Sequence, residues 1–130
     1  MFTIAAIELA LNKIKSGADF PKYIKEIKEM GVTAFETWVT DSHTVYFGKN
    51  GFQTKSEPKY DALAIADKSD KIKFGQYLKI HQKGDADYIT FCKDCAETGI
   101  EKWVMDLDKM ICTYYDKAKN EVLIEKVPAA

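Results

Sequence analysis

The chain has 130 residues, with 19 basic and 20 acidic side chains and a formal net charge of -1; it is long enough to bury a core without staples but has no overall field to draw in a phosphate backbone, so nucleic acid is not expected as a partner. A composition of 46% hydrophobic and 30% charged residues is ordinary for a soluble globular protein, and no stretch approaches the ~18 apolar residues of a membrane span, so no membrane partner is expected either. Three cysteines cannot all pair within one chain, which argues for a reducing compartment and a cytoplasmic location.

Along the chain, Ile4, Ile7, Leu11 and Ile14 recur at helical spacing, with Thr3 as N-cap and Ser16-Gly17 as the stop. The apolar run from Met1 to Leu11 lacks a basic leader and carries Glu8, so a folded helix is expected there rather than a signal peptide. Asp19 caps a second helix with Pro21 in its first turn, an apolar stripe of Phe20, Tyr23, Ile24, Ile27 and Met30, and Gly31 at its end. From Val32 to Val39 the period changes to two, with Thr33, Phe35, Thr37 and Val39 on one face and Ala34, Glu36 and Trp38 on the other. Strands over His43–Phe47 and Phe52–Lys55 then flank Asn50-Gly51, a hairpin signal because both residues tolerate positive φ. This first unit reads ααβββ.

The segment from Glu57 to Lys68, with Tyr60, Leu63 and Ile65 spaced along it, reads as a strap lying on the domain, since a free linker would have little use for those side chains. The order then repeats. Phe74, Tyr77, Leu78 and His81 take the places of Ile7, Ala10, Leu11 and Ile14; Asp87 caps a helix with the stripe Tyr88, Phe91, Cys92 and Cys95; Gly99 closes it; and Trp103, Met105 and Leu107 stand where Phe35, Thr37 and Val39 stood. Matching caps, stops and stripes point to a duplicated ααβββ unit. The expected fold is α+β: one domain of two repeats, about residues 1–56 and 69–127 joined by the strap at 57–68, forming a mostly antiparallel sheet of about six strands with the helices on one face.

Candidate chemistry is sparse. Cys92-Lys93-Asp94-Cys95 is formally C-x-x-C, but the pair begins well inside its helix and aligns with Ile24 and Ile27, so small core residues are the simpler reading than a redox site. A zinc site would need two further ligands, and no second Cys or His pair stands at structural spacing; no metal and no cofactor are expected. His81 aligns with Ile14 and reads as a buried, hydrogen-bonded histidine. His43, beside Asp41 and Ser42 at a strand entry, is a weak catalytic candidate as general acid or base, set against a polar turn that uses Asp and Ser for local backbone bonding. Asp106 and Asp108 flank Leu107 as a common strand ending, and no Gly-rich loop precedes a helix to cradle a phosphate.

The sheet face turned away from the helices is the remainder. Glu36, Trp38 and Asp106 are expected there, joined by Tyr46 or Phe47 and by Tyr114 or Tyr115 according to register. Glu36, Trp38, Tyr46, Asp106 and Tyr114 are therefore the expected binding residues, for an unknown small molecule or protein on this face or in the groove between repeats, or for a homodimer contact. A second packing face covered by the strap is the bland alternative.

The strings Lys15-Ser16-Gly17-Ala18-Asp19-Phe20-Pro21, His43-Thr44-Val45-Tyr46-Phe47-Gly48-Lys49-Asn50-Gly51, Lys102-Trp103-Val104 and Cys112-Thr113-Tyr114-Tyr115-Asp116-Lys117 resemble a bacterial and prophage family of unknown function whose members are sometimes labelled phage envelope protein. The resemblance implies a small single-domain protein and supplies no activity and no catalytic residues. The envelope label reads as inherited naming. The function expected is a ligand-binding or protein-interaction module, with a small His43 enzyme as the alternative and a Cys92/Cys95 redox protein behind it.

Overall fold

A computed structural model describes residues 2–15 and 17–128. In chain order the elements are α1 (Ile4–Leu11), α2 (Phe20–Met30), β1 (Ala34–Trp38), β2 (Thr44–Phe47), β3 (Gln53–Lys55), α3 (Lys71–Gln82), α4 (Tyr88–Glu97), β4 (Lys102–Asp106), β5 (Ile111–Tyr115) and β6 (Glu121–Lys126). The order ααβββ thus occurs twice. The six strands form one antiparallel sheet in the order β3-β2-β1-β4-β5-β6. Two three-stranded halves meet at β1 and β4, and the fold is α+β, with the helices packed on one face.

Local chemistry accounts for the helix ends. The hydroxyl of Thr3 accepts from the Ala6 N–H at 3.1 Å, and the carboxylates of Asp70 and Asp87 accept from Lys73 and Thr90 N–H at 3.0 and 2.8 Å, so three of the four helices have side-chain N-caps. Asp19 stands at the N-cap position of α2 without capping it; its Oδ2 instead accepts from the Lys15 N–H at 2.8 Å. Helix α1 ends at Leu11 with Asn12 as C-cap, one turn earlier than Ile14 predicts; Ser16, expected to help stop it, lies outside the described residues. At the β2–β3 hairpin Asn50 and Gly51 both take positive φ, 57° and 76°, as the Asn-Gly signal requires.

Alternation fixes the faces. In β1, Phe35 and Thr37 are buried while Ala34, Glu36 and Trp38 are half-buried. The register sets Phe35 beside Tyr46 and Met105, Thr37 beside Thr44 and Trp103, and Trp103 beside Tyr114. Residues directly opposite share a face. These side chains therefore all look toward the helices, where Ile7, Ile24, Ile27, Phe74, Phe91 and Cys95 meet them in one core.

The strap at 57–68 is tied down by backbone. Lys59 N–H donates to the Asp41 carbonyl at 2.8 Å, Leu63 N–H to Thr40 at 2.7 Å and Ala66 N–H to Ala96 at 2.9 Å, while the Tyr60 hydroxyl donates to the Val39 carbonyl. These bonds run from the end of β1 to the end of α4, so the segment flanks the helix layer. It does not cover the outer sheet face, and the bland alternative for that face falls.

Gly99 marks where the strap lands. It takes φ 81°, and a Cβ placed on it would lie 2.5 Å from the Lys68 carbonyl oxygen and 2.7 Å from Ser69 Cα. Both the left-handed backbone and the close approach demand glycine. Gly51, at φ 76° with nothing near its Cβ position, isolates the first effect. Gly51→Ala is expected to cost about 1 kcal/mol, and Gly99→Ala roughly 3 kcal/mol once overpacking against backbone is added. Urea unfolding of the two variants checks this, and equal losses would mean that the strap yields freely.

Candidate functional site

The central strands carry mixed chemistry on their helix-facing side: phenols, hydroxyls and rings in place of the aliphatic residues that would fill the space. A cavity of about 250 Å³ opens above them. Its floor is Phe35, Thr37, Thr44, Tyr46, Trp103 and Tyr114. One wall comes from the first half, through Leu11, Ile14, Phe20 and Tyr23; the other comes from the second, through Leu78, His81, Tyr88 and Phe91. Lys15, Lys59 and Gln82, all exposed, mark its rim. It is the groove between the two ααβββ halves.

Its polar groups are mostly hydroxyls, arranged in pairs. Tyr23 and Tyr46 hydroxyls stand 3.3 Å apart, those of Thr37 and Thr44 2.8 Å, and those of Ser42 and Tyr88 2.5 Å. Thr44 also donates to the Ser42 carbonyl at 3.4 Å. Burial pushes the phenols of Tyr23, Tyr46, Tyr88 and Tyr114 up, so all four stay protonated and neutral. At another point of the lining, Glu125 accepts from the Tyr114 hydroxyl at 2.8 Å and from the Gln82 amide at 2.6 Å. Both of its oxygens are thereby engaged.

His81 is the exception among these satisfied groups. Its ring stacks on Phe91 with centroids 4.1 Å apart and planes 13° from parallel, and its Nδ1 is buried without a hydrogen-bond partner. Burial holds its pKa below the ordinary histidine value, offset only in part by the Ala86 backbone. Ile14, the residue that the sequence sets against His81, lines the same cavity; of the expected hydrogen bonding, Nδ1 has none.

The residues expected to share one binding face do not. Glu36, Trp38 and Asp106 lie on the outer face of the sheet, whereas Tyr46 and Tyr114 pair with Phe35 and Trp103 on the helix side and are 3% and 4% exposed. The reason is register: Phe47 and Tyr115, one position on, take the outer face instead. On that face Lys102 places its ammonium 4.9 Å from the Trp38 ring centre and 5.5 Å from that of Tyr115, and 3.5 Å from Glu36. Asp106 spends one oxygen on the turn after β4, accepting from Asp108 and Lys109 N–H, each at 2.9 Å.

His43 joins the outer group as well. Its ring lies nearly parallel to that of Trp38, and its Nδ1 is 2.6 Å from Asp41 Oδ1. Burial raises the Asp41 carboxyl pKa, but hydrogen bonds from the His43 backbone and ring, with the charge of that ring, outweigh it and leave the carboxyl below its ordinary value. Asp41 is thus within reach of His43, whereas Tyr46 and Tyr114 are on the other side of the sheet. Ser42, adjacent in sequence, turns inward at φ 63° and bonds Tyr88. The three neighbours form no triad.

Cys92, Cys95 and Cys112 are free and buried. Burial pushes the Cys92 thiol up to about 11 and raises those of Cys95 and Cys112 as well, the opposite of the depressed pKa that redox chemistry uses. They pack as core. Among the described residues no group of three or more His, Cys, Asp or Glu side chains is placed to hold a metal ion.

Thr37, Thr44, Tyr23, Tyr88 and His81 are the site residues that sequence reasoning did not gather. The available signal was the polar character of Thr37 on an otherwise apolar, helix-facing strand position.

The half-buried His81, whose pKa burial holds down, also makes stability depend on pH. As pH falls through the ordinary histidine value of about 6.5, the unfolded chain takes up a proton that the folded ring resists, so stability is lost on acidification. His81→Phe, which keeps the stack on Phe91, is expected to lose less Tm than the wild type between about pH 8 and about pH 5. Parallel pH slopes in differential scanning calorimetry would show that the ring ionises without penalty.

A family model described as "Protein of unknown function (DUF1398)" matches residues 8–126. No curated protein matches the chain.

Proposed function

The chain belongs to the DUF1398 family of proteins of unknown function, and from that premise, which carries no activity, we propose that it is a small-molecule binding protein whose site is the cavity between its two helix pairs. The observation that supports this reading is about 250 Å³ of space lined from both halves of the chain. The space opens past Lys15, Lys59 and Gln82 at its rim, so a small molecule has a way in. Concave, aromatic-lined space with a few convergent polar groups is the usual form of a ligand site.

The proposal moves the expected binding residues. Tyr46 and Tyr114 remain as cavity residues, joined by Tyr23, Thr37, Thr44 and His81, while Glu36, Trp38 and Asp106 belong to the outer face. The enzymatic alternative is weaker, because His43 and Asp41 lie apart from this lining. The cytoplasmic and prophage setting expected from the sequence stays within the proposal as the place to seek the ligand. No described helix is long and apolar enough to cross a membrane.

A second reading concerns the outer sheet face, where Val45, Val104, Ile111, Trp38 and Tyr115 alternate with Glu36, Lys102 and Asp106, and Ile124 is 54% exposed. Such a face suits a contact between two copies of the chain.

Native mass spectrometry of protein purified gently from its host separates the two. The expected spectrum shows a small-molecule mass on the chain that disappears on denaturation and is absent from Leu11→Trp, which fills the cavity from its half-buried wall. A clean apo dimer that becomes a monomer in Ile124→Lys would overturn the cavity reading in favour of the outer face.

A further inference from the structure

Resting on the cavity reading, we infer that the ligand is an uncharged planar ring compound, about the size of one fused ring pair, bearing a polar N–H or O–H edge that meets His81 and the Tyr23–Tyr46 hydroxyl pair. Size is the first constraint. A volume of about 250 Å³ lies just below the ~300–1,000 Å³ of ordinary ligand pockets, which favours a small body over a nucleotide or a long acyl chain.

Shape and surface are the second constraint. Rings enclose the space from both halves: Tyr23 meets Phe35 at 6.5 Å between centroids and Phe35 meets Tyr46 at 5.7 Å, while Phe91 meets Trp103 at 5.8 Å and Trp103 meets Tyr114 at 6.1 Å. Two aromatic clusters facing one gap offer edges and faces to a further ring, an arrangement that adds attraction beyond area alone. A flexible aliphatic chain gains no such term and loses more conformational freedom on entry.

Charge is the third constraint. The phenols that line the cavity are neutral, and the Glu125 carboxylate already receives Tyr114 and Gln82. A ligand carboxylate would meet the field of Glu125, and a ligand cation would have to share a carboxylate that already receives two donors. The lysines do not change this. Lys15 and Lys59 are exposed at the rim, and Lys59 is paired with Glu8 at 2.7 Å. Burying an ion without a partner is expensive, so the body that enters is uncharged.

Polar groups with hydrogen-bonding capacity to spare say where its edge goes. Of the buried side-chain nitrogens and oxygens among the described residues, His81 Nδ1 is the one without a partner, and the Tyr23–Tyr46 contact at 3.3 Å is longer than a usual O–H···O bond. The Tyr23–Tyr46 hydroxyls can take one more hydrogen bond from a ligand edge; His81 Nδ1, closed off from the cavity as the ring stands, takes one as the ring turns on its stack with Phe91. The Thr37–Thr44 pair, closed at 2.8 Å and continued to the Ser42 carbonyl, has less to offer.

Isothermal titration calorimetry with indole, indole-2-carboxylate and 1-octanol tests the class, alongside native mass spectrometry of the protein from its host. Indole is expected to bind at least about tenfold more tightly than either of the others, and His81→Phe to lose about tenfold of that affinity, the worth of one neutral hydrogen bond. Ile124→Lys, at an exposed position on the outer sheet face and outside the lining, serves as the control and should leave indole affinity within about threefold. Indole-2-carboxylate or octanol binding as tightly as indole would overturn the inference, as would an unchanged indole affinity in His81→Phe. If none of the three binds while the host protein carries a small-molecule mass, the ring class fails and the cavity reading stands. If none binds and no mass is carried, both fail.

Discussion

The pairing of β1 with β4 is the constraint on which the rest of the molecule depends. Each half brings a three-stranded sheet whose inner edge would otherwise be unpaired, and joining those edges satisfies the backbone groups of both. Because the two strands run antiparallel, Phe35 lies beside Met105 and Thr37 beside Trp103 on one face. A slip of one residue would turn one half over. The helix pairs would then lie on opposite sides, and neither the common core nor the gap between them would exist.

That geometry also explains why a cavity forms at the middle of the sheet. A helix pair covers the strands of its own half, and the boundary between pairs falls over the central strands. Aliphatic residues there would collapse the gap. The chain instead sets rings and hydroxyls around it, from Tyr23 and Tyr46 on one side to Trp103 and Tyr114 on the other. Rings are stiff and span space without filling it, and paired hydroxyls are satisfied without water or charge. The strap closes one flank through its backbone bonds to Thr40, Asp41 and Ala96.

The two faces of the sheet divide the polar residues by how each is satisfied. On the outer face charges remain near water: Lys102 lies between Trp38 and Tyr115 and reaches Glu36, and Asp41 holds His43. On the inner face the phenols are neutral, because burial penalises ionisation, and the Glu125 carboxylate is held by Tyr114 and Gln82. The same physics keeps Cys92, Cys95 and Cys112 as thiols in the core, despite the C-x-x-C spacing.

Local features were legible in the chain because they depend on neighbours in sequence. Thr3 and Asp87 cap through bonds three residues long, Gly31 and Gly99 end their helices in the left-handed region, Asn50-Gly51 turns a hairpin, and the two-residue period of β1 separates Phe35 from Trp38. Those signals suffice for the α+β class, the six strands and most of the core. The candidate site was legible only in part. Whether Tyr46 or Phe47 faces the helices depends on the register across β1 and β2, which is set by partners far away in sequence, and grouping Tyr46 with Glu36 follows from having the alternation without that register. His81 could be placed on an apolar stripe from its spacing, but its unpaired nitrogen arises only where two helix pairs stop short of each other. The sequence by itself determined the apolar stripes of the helices and the two faces of β1, since both follow from periodicity. Tertiary structure alone decided which of their side chains surround a common space, since that requires the β1–β4 pairing to bring two distant segments together.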